Sequence, residues 1–186
     1  MFGLFKSQTQ SDEQARHIYA AIVEQSRRPE FYLDGGVPDT PDGRFDLILV
    51  HAFLVFHRLK DEPRDSNDIG QIVFDLMFAD MDQSLREMGT GDIGVSIRIK
   101  GMAKAFYGRV AAYEAGLLTG GTELRAALQR NLYRKATPTQ HQLEFFADYL
   151  SRESAAIGAV AIDEIRAGKI NFGRPPEFAP EFGSSE

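Results

Sequence analysis

Residues 45–60 read FDLILVHAFLVFHRLK, and the way this stretch folds decides the architecture. A half-buried strand would alternate apolar and polar residues, and no window of the chain sustains that alternation. On a helical wheel, Leu47, Ile48, Leu49, Val50, Phe53, Leu54, Val55 and Phe56 cover every side. A helix that is apolar all round belongs inside a bundle, where neighbours cover each face. The longest apolar run, Leu47 to Leu59, has 13 residues and includes His51, His57 and Arg58. That is too short and too polar for a bilayer crossing, which takes about 20 mainly apolar residues.

Outward from this rod the pattern is helical throughout. Ser11 or Asp12 caps a helix running to about Arg28, which Pro29 ends. Segment 30–44 holds Gly35, Gly36, Pro38, Pro41 and Gly43 and reads as an ordered loop. A helix over 68–88 starts on an Asp68 cap. A long one from Ile93 to about Leu118 starts on Asp92, and Gly101, Gly108 and Gly116 interrupt it. Each such glycine costs up to about 1 kcal/mol against alanine, so close packing on another backbone is the expected compensation. A short helix follows Gly121 to about Arg134. Another starts at Thr137 or Pro138 and runs to Ile157, with Gly158 as a break before a last stretch to Ala167. The expectation is an all-α bundle of six to seven helices around the central apolar one. It spans 11–168, between a mobile tip at 1–10 and a Pro/Gly-rich tail at 169–186 that is poorly ordered or draped on the surface.

Composition excludes several chemistries. The 186 residues contain no Cys, which removes disulfides, thiolate metal sites and cysteine nucleophiles. The four histidines, His17, His51, His57 and His141, lack the three- or four-residue spacing of a helical metal pair. Gly89, Gly91 and Gly94 imitate a dinucleotide fingerprint, but they follow the end of a helix where that motif needs a strand. No catalytic, cofactor or metal site is expected. The N-terminal MFGLFKSQTQ lacks the apolar core of a signal peptide, so the expected place is the cytoplasm or the face of the inner membrane.

Charge is distributed unevenly. Residues 93–137 carry 8 basic and 2 acidic side chains, whereas 1–92 carry 9 and 17. Either the basic block pairs with the acidic ones inside the fold, or it forms a face for an acidic partner such as RNA, anionic lipid or a carboxylate-rich protein. Lys100 and Lys104 lie on one side of helix 93–118, and Arg98 with Arg109 on another. On the preceding helix, Asp75 and Asp82 share a polar stripe with Arg86. Asp80 falls between Val73, Leu76 and Met77 on the apolar face. A carboxylate there is costly unless paired, and Arg58, Arg98 or Arg109 is the expected partner. Met77, Phe78, Met81 and Met88 form a stripe that suits either a core or an adaptable apolar contact.

Three stretches carry a family resemblance. The first is Gly36-Val-Pro-Asp-Thr-Pro-Asp-Gly-Arg-Phe-Asp-Leu, running into Leu49-Val-His-Ala-Phe-Leu54 and Arg58-Leu59. The second is Phe74-Asp-Leu-Met-Phe-Ala-Asp-Met-Asp82 with Leu85-Arg-Glu-Met-Gly89. The third is Met102-Ala-Lys-Ala-Phe-Tyr-Gly-Arg109, then Ala112-Tyr113 and Leu124-Arg-Ala-Ala-Leu-Gln-Arg-Asn-Leu132. Together, over about residues 15–155, the chain resembles the ubiquinol–cytochrome c chaperone family in its alphaproteobacterial form. The resemblance implies an all-helical, non-enzymatic factor that helps assemble the cytochrome bc1 complex. Its implied partners are newly made cytochrome b or an early assembly intermediate, with the ribosome or an anionic membrane surface as further contacts and no DNA. The family-like polar positions are His51, Arg58, Asp80, Asp82, Arg86, Gly89 and Arg130. With Arg98, Lys104 and Arg109 they make the candidate partner-binding or structural polar network. Phe53 and Phe78 stand where mitochondrial relatives have Trp. Two other readings remain open at this point: a helical carrier of quinone, lipid or haem with His51 or His57 as ligand, and an enzyme using Asp80 with His51.

Overall fold

The structure is a computed structural model that describes residues 2–62 and 68–176, with side chains from Gln10 onward. Eight helices make up these residues: α1 (Phe2–Ser26), α2 (Glu30–Leu33), α3 (Pro41–Leu59), α4 (Ile69–Glu87), α5 (Asp92–Thr119), α6 (Gly121–Asn131), α7 (Gln140–Gly158) and α8 (Ile162–Arg166). No strand occurs among the described residues. The all-α bundle holds, with one helix beyond the expected six to seven: the four-residue α2 forms inside segment 30–44, which reads as a loop, while the five-residue α8 is the expected last stretch.

The central rod is α3. Leu47, Leu49, Val50, Ala52, Phe53, Leu54 and Val55 are buried, and Ile48 and Phe56 pack at the edge of the same core. Helices α1, α4, α5 and α7 all pack against it. The other elements present amphipathic faces: Ala15, Ile18 and Ile22 from α1, Val73, Met77 and Met81 from α4, and Leu143, Phe146 and Leu150 from α7. Met77, Phe78 and Met81 thus belong to the core, and only Met88 of that stripe is exposed.

Helix ends explain where the sequence reading of boundaries slipped. Helix α3 begins at Pro41, inside the segment expected to be a loop. Proline is tolerated at the first helical position, and the Thr40 hydroxyl accepts from the Gly43 N–H at 3.2 Å. Gly43 is required there, since a Cβ would sit 2.0 Å from the Pro38 carbonyl oxygen. The Asp68 cap of α4 is as expected, accepting from the N–H groups of Gly70 and Gln71. Asp92 is instead the first residue of α5, behind a Gly91 cap. The start of α7 is Thr139, in a reciprocal capping box with Gln142. Helix α1 extends back to Phe2, because the polar run 6–14 has neither proline nor glycine to stop it. Residues 169–176 carry no helix and lie against α1 and α7; the remainder of the expected tail, 177–186, falls outside the described residues.

Of the three glycines in α5, only Gly116 has the expected backbone neighbour: a Cβ there would be 2.8 Å from the Leu124 Cα, where α6 folds back after Gly120 and Gly121. Both turn glycines have positive φ, at 75° and 41°. Gly101 and Gly108 have nothing within 4 Å of the Cβ position.

Truncating the rod should be costly in proportion to its burial. Leu54→Ala is expected to destabilise the fold by about 2–5 kcal/mol, whereas Leu33→Ala, at a residue 79% exposed, should stay within about 0.5 kcal/mol. Urea unfolding of the two variants checks the contrast.

Candidate functional site

Two polar groups enter the core on α3, and each is satisfied by other elements. Asp46, 4% exposed, receives Arg134 of the α6–α7 link in a two-pronged contact, with Nε and Nη2 donating at 3.0 and 3.1 Å. From α5, Arg109 places Nη1 2.8 Å from the same carboxylate, and its guanidinium also lies over the Phe45 ring. Burial pushes the Asp46 carboxyl up to about 6 against the pull of the two guanidiniums, which leaves it ionised at neutral pH.

His51 is fully buried. Its Nδ1 lies 2.8 Å from the Leu47 carbonyl and 3.0 Å from Ser26 Oγ, and its Nε2 lies 2.9 Å from the Tyr149 hydroxyl. Ser26 spends its own proton on the Ile22 carbonyl, so the network assigns the imidazole proton to Nδ1. Tyr149 then donates to Nε2 while accepting from Gln25 Nε2 at 2.8 Å, and Gln25 also donates to the Gly173 carbonyl. The segment after α8 closes this layer. Phe172 packs edge-on to the imidazole at 5.3 Å, and the Gly173 N–H donates to the buried Glu153 carboxylate at 2.7 Å. With both ring nitrogens engaged and no exposure, His51 offers no lone pair to a haem iron.

Asp80 differs from expectation. It is exposed, and its partner is the Tyr19 hydroxyl, which donates at 2.7 Å, rather than an arginine. The helix turns this carboxylate far enough from Val73 and Met77 for α1 to reach it with a tyrosine. Asp80 and His51 therefore do not converge on a common point. The other candidates separate into two groups. Arg58, half-buried, joins α3 to Glu62 and to the Val160 carbonyl before α8. Arg86 bridges Asp82 and Asp92, tying the end of α4 to the start of α5. Arg98, Lys104 and Arg130 are exposed and form no ion pair among the described residues. Of the basic block, Arg109, Arg134 and Lys135 pair with acids near the start of α3, so it is divided between internal pairing and an outward face. Among the described residues, no three His, Asp or Glu side chains cluster as a metal would require.

Among the described residues a groove of about 400 Å³ opens where α3, α4 and α5 meet, with Ser11 and Gln14 of α1 completing its lining. Phe56, Phe74, Phe106 and Tyr107 line it together with the charged Lys60, Glu62, Asp68 and Arg166. The rings interlock: Phe74 stands 5.7 Å from Phe106 and 5.9 Å from Tyr107, and Phe56 meets Phe106 at 5.5 Å. In sequence Phe56 belongs to the apolar rod, while Phe106 and Tyr107 read either as aromatic surface for a nucleic-acid or polypeptide partner or, as is commoner at helical spacing, as core. A repeat of aromatics across three adjacent helices was the available signal, but helical spacing alone does not separate a groove wall from an interior.

The described residues thus form a helical module with Asp46 and His51 held inside and a groove walled in part by aromatic rings outside. Its sequence matches the family described as ubiquinol-cytochrome C chaperone over residues 33–172, and the chain belongs to that family. It is 28% identical over 139 residues to a mouse protein named ubiquinol-cytochrome c reductase complex assembly factor 1, covering 75% of this chain and 47% of that one. A Xenopus laevis protein named ubiquinol-cytochrome-c reductase complex assembly factor 1 is 26% identical over 75% of this chain and 70% of its own length. The chain spans about half the length of the mouse and human relatives it matches. The crystal structure of the Cbp3 homolog from Brucella abortus superposes with a TM-score of 0.82 and 35% identity, over 93% of this chain and 96% of that one. No described helix is long and apolar enough to cross a membrane.

The His51 layer sets a pH dependence. Burial pushes its pKa down to about 4 from an ordinary 6.5. The folded state therefore binds this proton more weakly than the unfolded chain. The contribution is complete above about pH 6.5 and is lost as pH falls toward 4, by at most about 3 kcal/mol. The raised carboxyl of Asp46 slopes the opposite way between about pH 4 and 6. Comparison with His51→Gln isolates the imidazole: urea midpoints of the variant should fall less than those of the parent between pH 6.5 and 4.

Proposed function

We propose that the chain is a non-enzymatic assembly chaperone for the cytochrome bc1 complex, holding newly made cytochrome b or an early intermediate. The observation that carries this reading is the aromatic groove at the meeting of α3, α4 and α5, together with family membership. A subunit destined for a bilayer exposes apolar side chains before it is inserted. A chaperone for it needs a water-excluding surface and no reactive group. The groove supplies aromatic rings among charged side chains, on a chain whose overall charge of −6 keeps it dispersed. Its volume suits a few side chains of a longer segment, not a whole helix.

A carrier of haem inside the bundle is disfavoured by geometry. Both ring nitrogens of His51 are engaged and its side chain is fully buried, so it cannot serve as the axial ligand.

Copurification of the tagged chain from membrane extracts is expected to recover cytochrome b. A clean deletion should lower assembled bc1 complex while leaving the cytochrome b transcript at its normal level. Normal amounts of assembled complex in the deletion strain would refute the assignment.

A further inference from the structure

The outward face of α5 is unlike the rest of the surface. Ile93, Ile97, Lys100, Lys104, Tyr107 and Leu118 recur at spacings of four and three, or whole turns beyond, and so lie along one side of the helix. Ile93 is 80% exposed, Ile97 67%, Tyr107 63% and Leu118 80%. Four of the six large apolar side chains exposed among the described residues thus share one helix face. Isolated exposed leucines need no explanation, but an aligned row of this kind does. The face is also cationic. Lys100 and Lys104 stand in the middle of the row, both exposed and without an ion pair among the described residues. Between Asp92 and Glu114 the helix carries no acidic residue. On a chain of net charge −6 this is a local reversal of sign.

We propose that this face of α5 seats on an anionic phospholipid bilayer. Isoleucine, leucine and tyrosine side chains enter the boundary between headgroups and acyl chains. Lys100 and Lys104 bury their stems beside them and carry their ammonium groups back to the lipid phosphates. Charge complementarity decides between this occupant and a protein one. A purely apolar client helix would leave two central ammonium groups desolvated and unmatched. A second copy of this chain would bring lysine against lysine. A phosphate-rich surface satisfies every cation in the row and accepts every apolar side chain. Gly101 and Gly108, flanking the row with open space above them, keep its edge low enough for lysine stems to lie flat. Tyr107 belongs both to this face and to the aromatic groove, so a docked molecule would hold the groove at the depth where a membrane subunit emerges. The docking itself does not rest on the bc1 assignment, and it is tested without any client.

The purified full chain is sedimented with vesicles of phosphatidylcholine alone and of phosphatidylcholine with phosphatidylglycerol. The expected result is binding only to the anionic vesicles, weakening as salt rises. The double variant Lys100→Glu/Lys104→Glu should bind at least about tenfold more weakly. Ile93→Ser/Ile97→Ser should also lose affinity, while Leu33→Ser, exposed elsewhere, should match the parent. All these positions are on the surface, so thermal melting should certify intact folds. Three results would each overturn the proposal: no sedimentation with anionic vesicles at low salt, equal binding by the charge-reversed variant, and loss of a copurifying protein in the variants without any vesicle binding by the parent.

Discussion

A helix with apolar residues on every side leaves no face for solvent, so each polar group it carries must find its partner on another helix. On α3 those groups are Asp46 and His51, and their partners come from far along the chain: Arg109 and Arg134 for the carboxylate, Ser26 and Tyr149 for the imidazole. The two polar layers therefore do more than satisfy α3. They set which faces of α1, α5 and α7 turn inward, because a rotated neighbour would leave a buried charge or ring nitrogen unmatched.

The outside falls into two kinds of surface. Where α3, α4 and α5 meet, the half-buried Phe56 and Phe74, the buried Phe106 and the exposed Tyr107 line an open groove among polar side chains. Along α5 the exposed side chains are apolar and basic together. At the surface Arg86 bridges Asp82 on α4 and Asp92 at the start of α5. A groove beside a cationic row suits the proposed chaperone role.

Much of the fold was legible from residues 45–60 alone, because an all-round apolar helix admits few architectures. The Asp68 cap and the breaks at Pro29 and Gly158 were readable for the same local reason. What escaped was non-local. Pro41 reads as a loop signal until Thr40 is seen to cap the turn that follows it. Asp80 reads as buried until Tyr19 of α1 meets it at the surface. Asp46 carries the main ion-pair cluster, but in sequence it is one acid at the start of a greasy run, and nothing local names Arg134 as its partner 88 residues away. The basic block was open to two readings, internal pairing or an outward face, and the structure assigns different members to each.

The most direct test of this account places a photoreactive side chain at position 71, an exposed site on α4 that lines the groove but lies off the α5 row. Crosslinking in cells, followed by mass spectrometry of the products, is expected to yield an adduct with cytochrome b or another bc1 subunit. Adducts only with proteins unrelated to the respiratory chain, from a variant whose melting matches the parent, would contradict it.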